Sequence, residues 1–399
     1  MKNFKRRDVL KAGIAGVGMS TLGMNAQAQQ TRGVTASSIK LGQVVATTGP
    51  VAIYGVPIRA GTQAYLGLVN DRGGVNGRKI ELLSEDSAFS TPQSLAIARR
   101  YMSNDGIFAL INSMGTAQVS ALIPYLVEQE KTPIFGTYGG AVEWFNPPKE
   151  GLFGLQVLYE DLAGALGRWS GKEGHKNIMA VHIEGASFAK AAKAVEPMVK
   201  AASPQSTVDF LPVKLPTQDY APIILQIAQK KPDAIVAMLI ESEFVTFMRE
   251  LRNQGIKAPV YAWGPVVTLR TLQNGGANME GLKAFSWTKA PMSSAPAVAE
   301  YRQALAKYAP AEKPDFVSLF NFAQTKVFVE ALSRVKGPLT QASFYQAMYS
   351  LQNYDSGIFP PVSFSATRHQ GLTSLVPLQV RNGEWVELGG MIDTSNPKW

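Results

Sequence analysis

Short apolar runs alternate with amphipathic stretches along most of the chain. IKLGQVV (39–45) precedes a helical pattern near 55–72, and RKIELLSED (78–86) precedes another near 92–104. IFALIN (107–112), a helix near 116–130 and TPIFG (132–136) complete a first series. Strand-length runs separated by helix-length patterns predict βαβ units, hence a parallel sheet with helices on both faces. The series then restarts with NIMAVHI (177–183), a helix near 187–202, TVDFLPV (207–213), a helix near 219–230 and DAIVAML (233–239). In SEFVTFMRELRNQG, Phe244, Phe247, Met248 and Leu251 recur at i, i+3, i+4 and i+7, one buried helix face ending at Gly255. PVYAW (259–263) closes the second set. The pattern therefore predicts an α/β protein of two Rossmann-like lobes.

The remaining elements do not amount to a third lobe. Helical stretches near 316–335 and 341–351 are followed by the strand-like SLVPLQV and EWVEL. They are expected to be shared between the lobes, with the chain crossing the hinge more than once. In open α/β sheets, ligands bind at the edge formed by the carboxyl ends of the strands. Two such edges facing each other make a cleft.

Composition adds limits rather than chemistry. With 46% apolar and 17% charged residues, the chain has ample material for a full core, and at 399 residues two lobes are the expectation. The start reads as an export signal covering residues 1–28. MKNFKRRDVLKAG opens on a basic segment, residues 12–24 are uncharged and mildly apolar, and Ala26-Gln27-Ala28 has the small-x-small form of a cleavage site. Arg6-Arg7 before Asp8-Val9-Leu10-Lys11 resembles the twin-arginine signal, with Val in place of Phe; a Sec signal is the alternative. The apolar stretch falls short of the roughly 20 residues that span a bilayer, so the segment is not read as an anchor. Gly13, Gly16 and Gly18 follow no strand and are not a nucleotide loop.

The signal holds five Lys/Arg and one Asp, a net +4, so of the total +9 about +5 stays with the mature chain. There is no long basic run, which argues against a nucleic-acid partner. The absence of Cys excludes disulfides, thiol catalysis and a lipidated N-terminal cysteine.

Three segments carry a family resemblance. TTGPVAIYG (47–55), NDRGGVNGRKIELLSED (70–86) and KKPDAIVAMLIESEFVTFMRELRNQG (230–255) resemble the opening, second-strand and PDA segments of type I periplasmic solute-binding proteins. The group is that of the branched-chain (Leu/Ile/Val-type) amino-acid ABC transporters. The likeness runs from about Ile39 to Leu388. It implies the type I periplasmic binding protein fold, with a ligand cleft between the lobes and three hinge crossovers. The first lobe would hold 38–155 and about 286–355; the second, about 156–285 and 356–399. It also implies a monomer in the periplasm, cleaved near Ala28, without cofactor or metal. Such a protein captures a small-molecule solute, an amino acid or an amine-free carboxylate, and delivers it to a membrane permease.

The site residues follow from that resemblance and from local chemistry. Tyr54 takes the place of the aromatic that covers the bound solute. In SMGTAQ (113–118), Gly115 permits close backbone approach and Thr116 offers a hydroxyl at a helix start, a ready carboxylate site. Thr116 or Ser113 could equally be an N-cap. In GTYGG (136–140), Gly139 stands where relatives carry Thr, with Thr137 and Tyr138 beside it; the loop could wrap a flat solute or be a plain turn. From the second lobe, Phe188 replaces a Tyr that packs on the solute, with Glu184 the nearby acid. Ile240 replaces another binding Tyr, leaving Glu241 as a polar contact, and Trp263 precedes Gly264. The acid that would pair a solute ammonium aligns near Gly264 and is missing. A buried ammonium without a counter-charge costs several kcal/mol. Either Glu241 or Glu184 replaces that acid, or the solute lacks an amine and is gripped at Thr116 and stacked by aromatics.

Enzyme motifs are absent. His175, His182 and His369 show no metal-ligand spacing, and neither a G-x-S-x-G elbow nor a Walker loop occurs. The alternatives to a transport protein are an exported α/β enzyme, such as an amide hydrolase, and a sensor module that presents its ligand to a receptor.

Overall fold

β1 (Ser38–Val45) sits inside a five-stranded sheet, and its burial shows why its sequence is apolar on both faces. Ile39, Leu41, Val44 and Val45 are all buried. The computed structural model describes residues 31–217 and 219–396. The export signal and its cleavage position lie outside those residues. β2 (Lys79–Asp86), β3 (Ala109–Ile111), β4 (Ile134–Phe135) and β5 (Leu152–Phe153) join β1 in the order β2-β1-β3-β4-β5, every pair parallel.

The second sheet contains β6 (Asn177–Ile183), β7 (Thr207–Val213), β8 (Ala234–Met238), β9 (Val260–Ala262) and β10 (Lys283–Ser286), all parallel. β11 (Ser374–Arg381) then adds antiparallel to β10, and β12 (Glu384–Glu387) antiparallel to β11. The full order is β12-β11-β10-β9-β8-β6-β7, with β13 (Ile392–Asp393) paired to β11.

Helices alternate with these strands, with local departures from the expected bounds. α1 is Ala52–Asp71 and α2 Thr91–Arg100, the latter continuing as a π turn, Tyr101–Asp105. α3 (Thr116–Ile123) also passes into a π turn at Pro124, whose missing N–H interrupts the α-helical ladder. The helix expected at 187–202 is two, α5 (Ala186–Lys193) and α6 (Val195–Ala202). α4 (Tyr159–Lys172) had no sequence expectation because three glycines weaken its helical pattern. Those glycines make its packing. A Cβ at Gly167 would meet Val195 O at 2.8 Å, and one at Gly171 would meet Val199 O at 3.0 Å, so this face of α4 lies against α6. Next come α7 (Ala221–Lys230), α8 (Glu241–Asn253) and α9 (Leu269–Gly275). α10 (Pro296–Tyr308), α11 (Phe316–Arg334) and α12 (Gln341–Tyr349) follow β10.

The tail divides by element type. α11 packs on α1 closely enough that any Cβ on Gly61 would collide with Ser318 O. Asn112 after β3 donates from Nδ2 to Thr62 and Thr325, each at 2.8 Å, tying α1, β3 and α11 together. The tail helices thus belong with the first sheet, while β11 and β12 extend the second. The chain crosses between them three times: after β5, after β10 and before β11. The first and third crossings run side by side, with Gly154 N–H donating to His369 O at 3.0 Å and Gly371 N–H to Gly154 O at 2.8 Å. The second touches the third through Lys289 N–H donating to Ile358 O at 3.1 Å.

Candidate functional site

The carboxyl ends of both sheets deliver aromatic side chains to one region between the lobes. Tyr54 lies in the first turn of α1 and is buried. Its hydroxyl accepts from the Glu241 N–H at 2.8 Å. Glu241 opens α8, so a single hydroxyl from the first lobe caps a helix start in the second. Its ring lies 5.7 Å from that of Tyr138. Burial, and then the Glu241 carboxylate, hold the Tyr54 hydroxyl well above the usual phenol range, so it stays neutral.

Gly115 and Thr116 form the start of α3. Gly115 has φ +97°, a conformation that favours glycine, and it is the N-cap. Thr116 is therefore the first helical residue, not the cap. Its hydroxyl shares a hydrogen bond of 2.9 Å with Tyr159 Oη. Ser113 Oγ accepts from Val44 N–H at 3.0 Å, so it is no cap either. The capping alternative for both residues is thus replaced by tertiary pairings.

The 136–140 loop is laced to this turn. Tyr138 N–H donates to Ser113 O at 2.8 Å, and Gly115 N–H donates to Tyr138 O at 3.1 Å. Thr137 is buried, its hydroxyl 3.5 Å from Gly139 O. The glycine pair gives room to the protein's own rings. A Cβ at Gly139 would lie 2.7 Å from Trp144 Cη2, and one at Gly140 3.0 Å from the Tyr159 ring.

On the second lobe, Phe188 stacks on Tyr159 at 5.7 Å, and Trp263 meets Tyr159 at 5.2 Å and Phe188 at 5.7 Å. The Trp263 Nε1–H is used, donating to Leu239 O at 2.7 Å. Glu241 is buried, and one of its oxygens accepts from the Thr268 hydroxyl at 2.9 Å. Burial raises its carboxyl above the ordinary value; the Thr268 bond and Arg270 oppose the shift, and Asp315 adds to it. Glu184 is exposed at the end of β6 and joins none of these contacts. Of the two acids proposed to replace the missing one, the structure brings only Glu241 to the site.

Four participants were not legible in sequence. Tyr159, Trp287, Phe320 and Asp315 sit on α4, the second crossing and α11, far in sequence from the loops they meet. Trp287 packs on Tyr138 at 5.8 Å and Phe320 at 4.9 Å. A Cβ at Gly264 would sit 2.5 Å from Trp287 Cζ2, so this ring fills the space an acid at 264 would need. Asp315 caps α11 through Val317 N–H at 3.0 Å and also accepts from Leu269 N–H at 2.8 Å. Burial raises its carboxyl. Only its helix-cap half could have been read locally.

The histidines are engaged in the fold. His369 Nδ1 lies 2.8 Å from Lys149 O, His182 Nδ1 lies 2.8 Å from Ile183 O, and His175 stands 3.7 Å from Glu173. Among the described residues no cluster of three or more His, Asp or Glu could hold a metal ion.

Two lobes with doubly wound sheets, three crossings and an aromatic cluster between them define a type I periplasmic binding protein. Residues 38–384 match the family model described as periplasmic binding protein, and the chain belongs to that family, in its branched-chain amino-acid transporter group. A Leu/Ile/Val-binding protein homolog 7 from Brucella abortus (strain 2308) is 25% identical over 317 residues, covering 75% of this chain and 78% of that protein. Among solved structures, a fatty acid ABC transporter substrate-binding protein from Thermomonospora curvata superposes with TM-score 0.81 at 22% identity. That match covers 92% of this chain and 96% of the other. An ABC transporter solute-binding protein from R. palustris in complex with benzoate gives TM-score 0.77 at 16% identity, covering 88% and 96%. The family match gives a periplasmic solute-binding protein, and the solved structures give its fold.

Proposed function

We propose that this chain is the exported solute-binding component of an ABC importer for a carboxylate that lacks an α-ammonium group and has an apolar or aromatic body. It leaves by the twin-arginine route, is cleaved near Ala28, and acts as a periplasmic monomer that hands its solute to a membrane permease. The start of α3 at Gly115 and Thr116 takes the carboxylate, where α3's amides and dipole favour an anion. Tyr54, Tyr138, Gly139, Phe188 and Trp263 pack on the body, with Thr137 supporting their loop. The observation that carries this reading is the Trp287 ring against Gly264, which leaves no room for an acid where the resemblance puts the ammonium-pairing one. The benzoate and fatty-acid proteins of the same fold fit such a solute. Neither an exported enzyme nor a sensor module draws support from the family match.

Glu241 supports a second reading. Its carboxylate is buried beside Tyr54 and held by Thr268, so it could meet the ammonium of an α-amino acid. Titration calorimetry of the exported protein with benzoate, hexanoate, leucine and phenylalanine separates the two. Benzoate or hexanoate should bind while leucine and phenylalanine do not. Binding of the amino acids alone overturns the first reading, and a loss of about tenfold or more in Glu241→Gln would then establish the second.

A further inference from the structure

Three buried polar atoms near the second crossing have no hydrogen-bond partner within the protein: Tyr138 Oη, Trp287 Nε1 and Thr288 Oγ1. Their residues are 8%, 5% and 1% exposed, so bulk solvent does not meet the need. All three line one narrow pocket, together with Gly264, Ser286 and Phe320. Buried donors are almost always paired, and one left unpaired destabilises the protein. Three residues with such groups lining one pocket are a concentration that calls for a shared acceptor.

The surrounding backbone is already satisfied. Ser286 Oγ donates to Thr288 O at 2.8 Å and accepts from Thr288 N–H at 3.0 Å, which fixes this turn and leaves the Thr288 side-chain hydroxyl free. The Trp287 ring is held edge-on to Tyr138 and against Phe320, with the residue 264 backbone behind it. No rotation of these rings toward other acceptors is open without repacking the cluster.

The chemistry of the three atoms limits what fits. An indole N–H can only donate, and hydroxyls can donate beside it, so the guest group is an acceptor. Free space in the pocket is on the order of one water molecule, enough for a terminal oxygen and not for a ring. Burial keeps the Tyr138 hydroxyl neutral, and a pocket with room for one oxygen does not take both oxygens of a carboxylate. A neutral carbonyl meets all of these conditions.

We propose that Tyr138, Trp287 and Thr288 form a second polar subsite, at the hinge end of the cleft, that reads a neutral carbonyl oxygen on the solute. The inference rests on the carboxylate reading above, since the carbonyl is placed at the end of the solute away from Thr116. The solute class becomes a keto- or amido-carboxylate with an apolar middle.

The test uses matched probes, 4-acetylbenzoate against 4-isopropylbenzoate and 5-oxohexanoate against 5-methylhexanoate. Each pair differs in a carbonyl oxygen against a methyl of similar size. In the wild-type protein the carbonyl member of at least one pair should bind about tenfold tighter or more, the yield of one or two buried hydrogen bonds. Trp287→Phe and Tyr138→Phe should each cut that ratio to about threefold or less. Equal affinities within both pairs, or a ratio unmoved by every variant, overturn the subsite while leaving the carboxylate reading intact. Failure of all four probes while benzoate or hexanoate binds overturns the subsite alone, and failure of those two as well removes both. A solute-free control covers a purely structural role: Thr288→Val should leave the melting temperature unchanged or raised, because it removes an unpaired group. A fall of several degrees would mean that a bound water satisfies the hydroxyl, and the subsite would be abandoned.

Discussion

The two ends of the cleft treat their polar atoms differently. At the α3 end, Thr116 and Tyr159 satisfy each other at 2.9 Å, and the Trp263 indole is spent on Leu239 O. At the hinge end, Tyr54 is satisfied across the lobes, but Tyr138, Trp287 and Thr288 are left without partners. The α3 end therefore presents a closed hydrogen bond that a solute must displace. The hinge end presents donors that a solute can only help. Affinity should come from shape and charge at the first end, and discrimination from donors at the second, because an unfilled buried donor penalises the wrong solute.

Substitutions can break this contrast, and the largest effect is expected at residue 264. Gly264→Glu would drive its side chain into the Trp287 ring and bury a charge there. Overpacking alone costs about 1–3 kcal/mol, and the charge adds to it. A fall in melting temperature of several degrees should be accompanied by loss of benzoate binding. A variant of unchanged stability would mean that Trp287 moves freely and that the hinge end is not rigid.

Tyr54→Phe comes next. It deprives the Glu241 N–H of its acceptor and severs the one hydroxyl link from α1 to α8, at about 1–3 kcal/mol. Chemical denaturation should show that loss, and small-angle scattering should show more open molecules. Identical scattering profiles would make the bond a bystander to closure. Tyr159→Phe is milder. It frees the Thr116 hydroxyl, which sits partly exposed, so about 1 kcal/mol of stability should go while carboxylate affinity holds or improves. Weaker binding of benzoate would place Tyr159 among the carboxylate's partners instead.

The smallest effect depends on pH. The Glu241 carboxyl is raised from 4.5 by burial, so the folded state holds its proton longer than the unfolded chain. Stability is then lost as pH rises from about 4.5 through the raised value, and stays lost above it. Glu241→Gln removes that loss and should melt higher than wild type at pH 8, with the gain vanishing near pH 4. A gain of equal size at both pH values would assign it to packing.

Much of the fold could be read along the chain because its cues are local. The alternation of IKLGQVV, RKIELLSED and IFALIN with helical patterns gave the first sheet, and the i, i+3, i+4, i+7 face of 242–255 gave α8. Elements whose cues are tertiary were not legible. α4 is glycine-rich because α6 presses on it, and β5 is two residues long because its neighbour β4 is. The loops of the site were legible as strand ends, including Tyr54, Gly115, Thr116, Tyr138 and Trp263. What those side chains do was not. Thr116 reads as a carboxylate contact or a cap, and its hydroxyl is paired with Tyr159. Glu184 and Glu241 read alike, yet one is exposed and one is buried.

The sequence by itself determined the alternation of strands and helices, the two-lobed class and the loops that reach the cleft, since periodicity and turn residues act over a few positions. Only the tertiary structure decided which aromatics face each other, which acid is buried, and why residue 264 is glycine. Those outcomes depend on contacts between α1, α4, α11 and the crossings, which meet only once both sheets have formed. The partners of a buried hydrogen bond, and its absence at Trp287, are properties of that assembled packing.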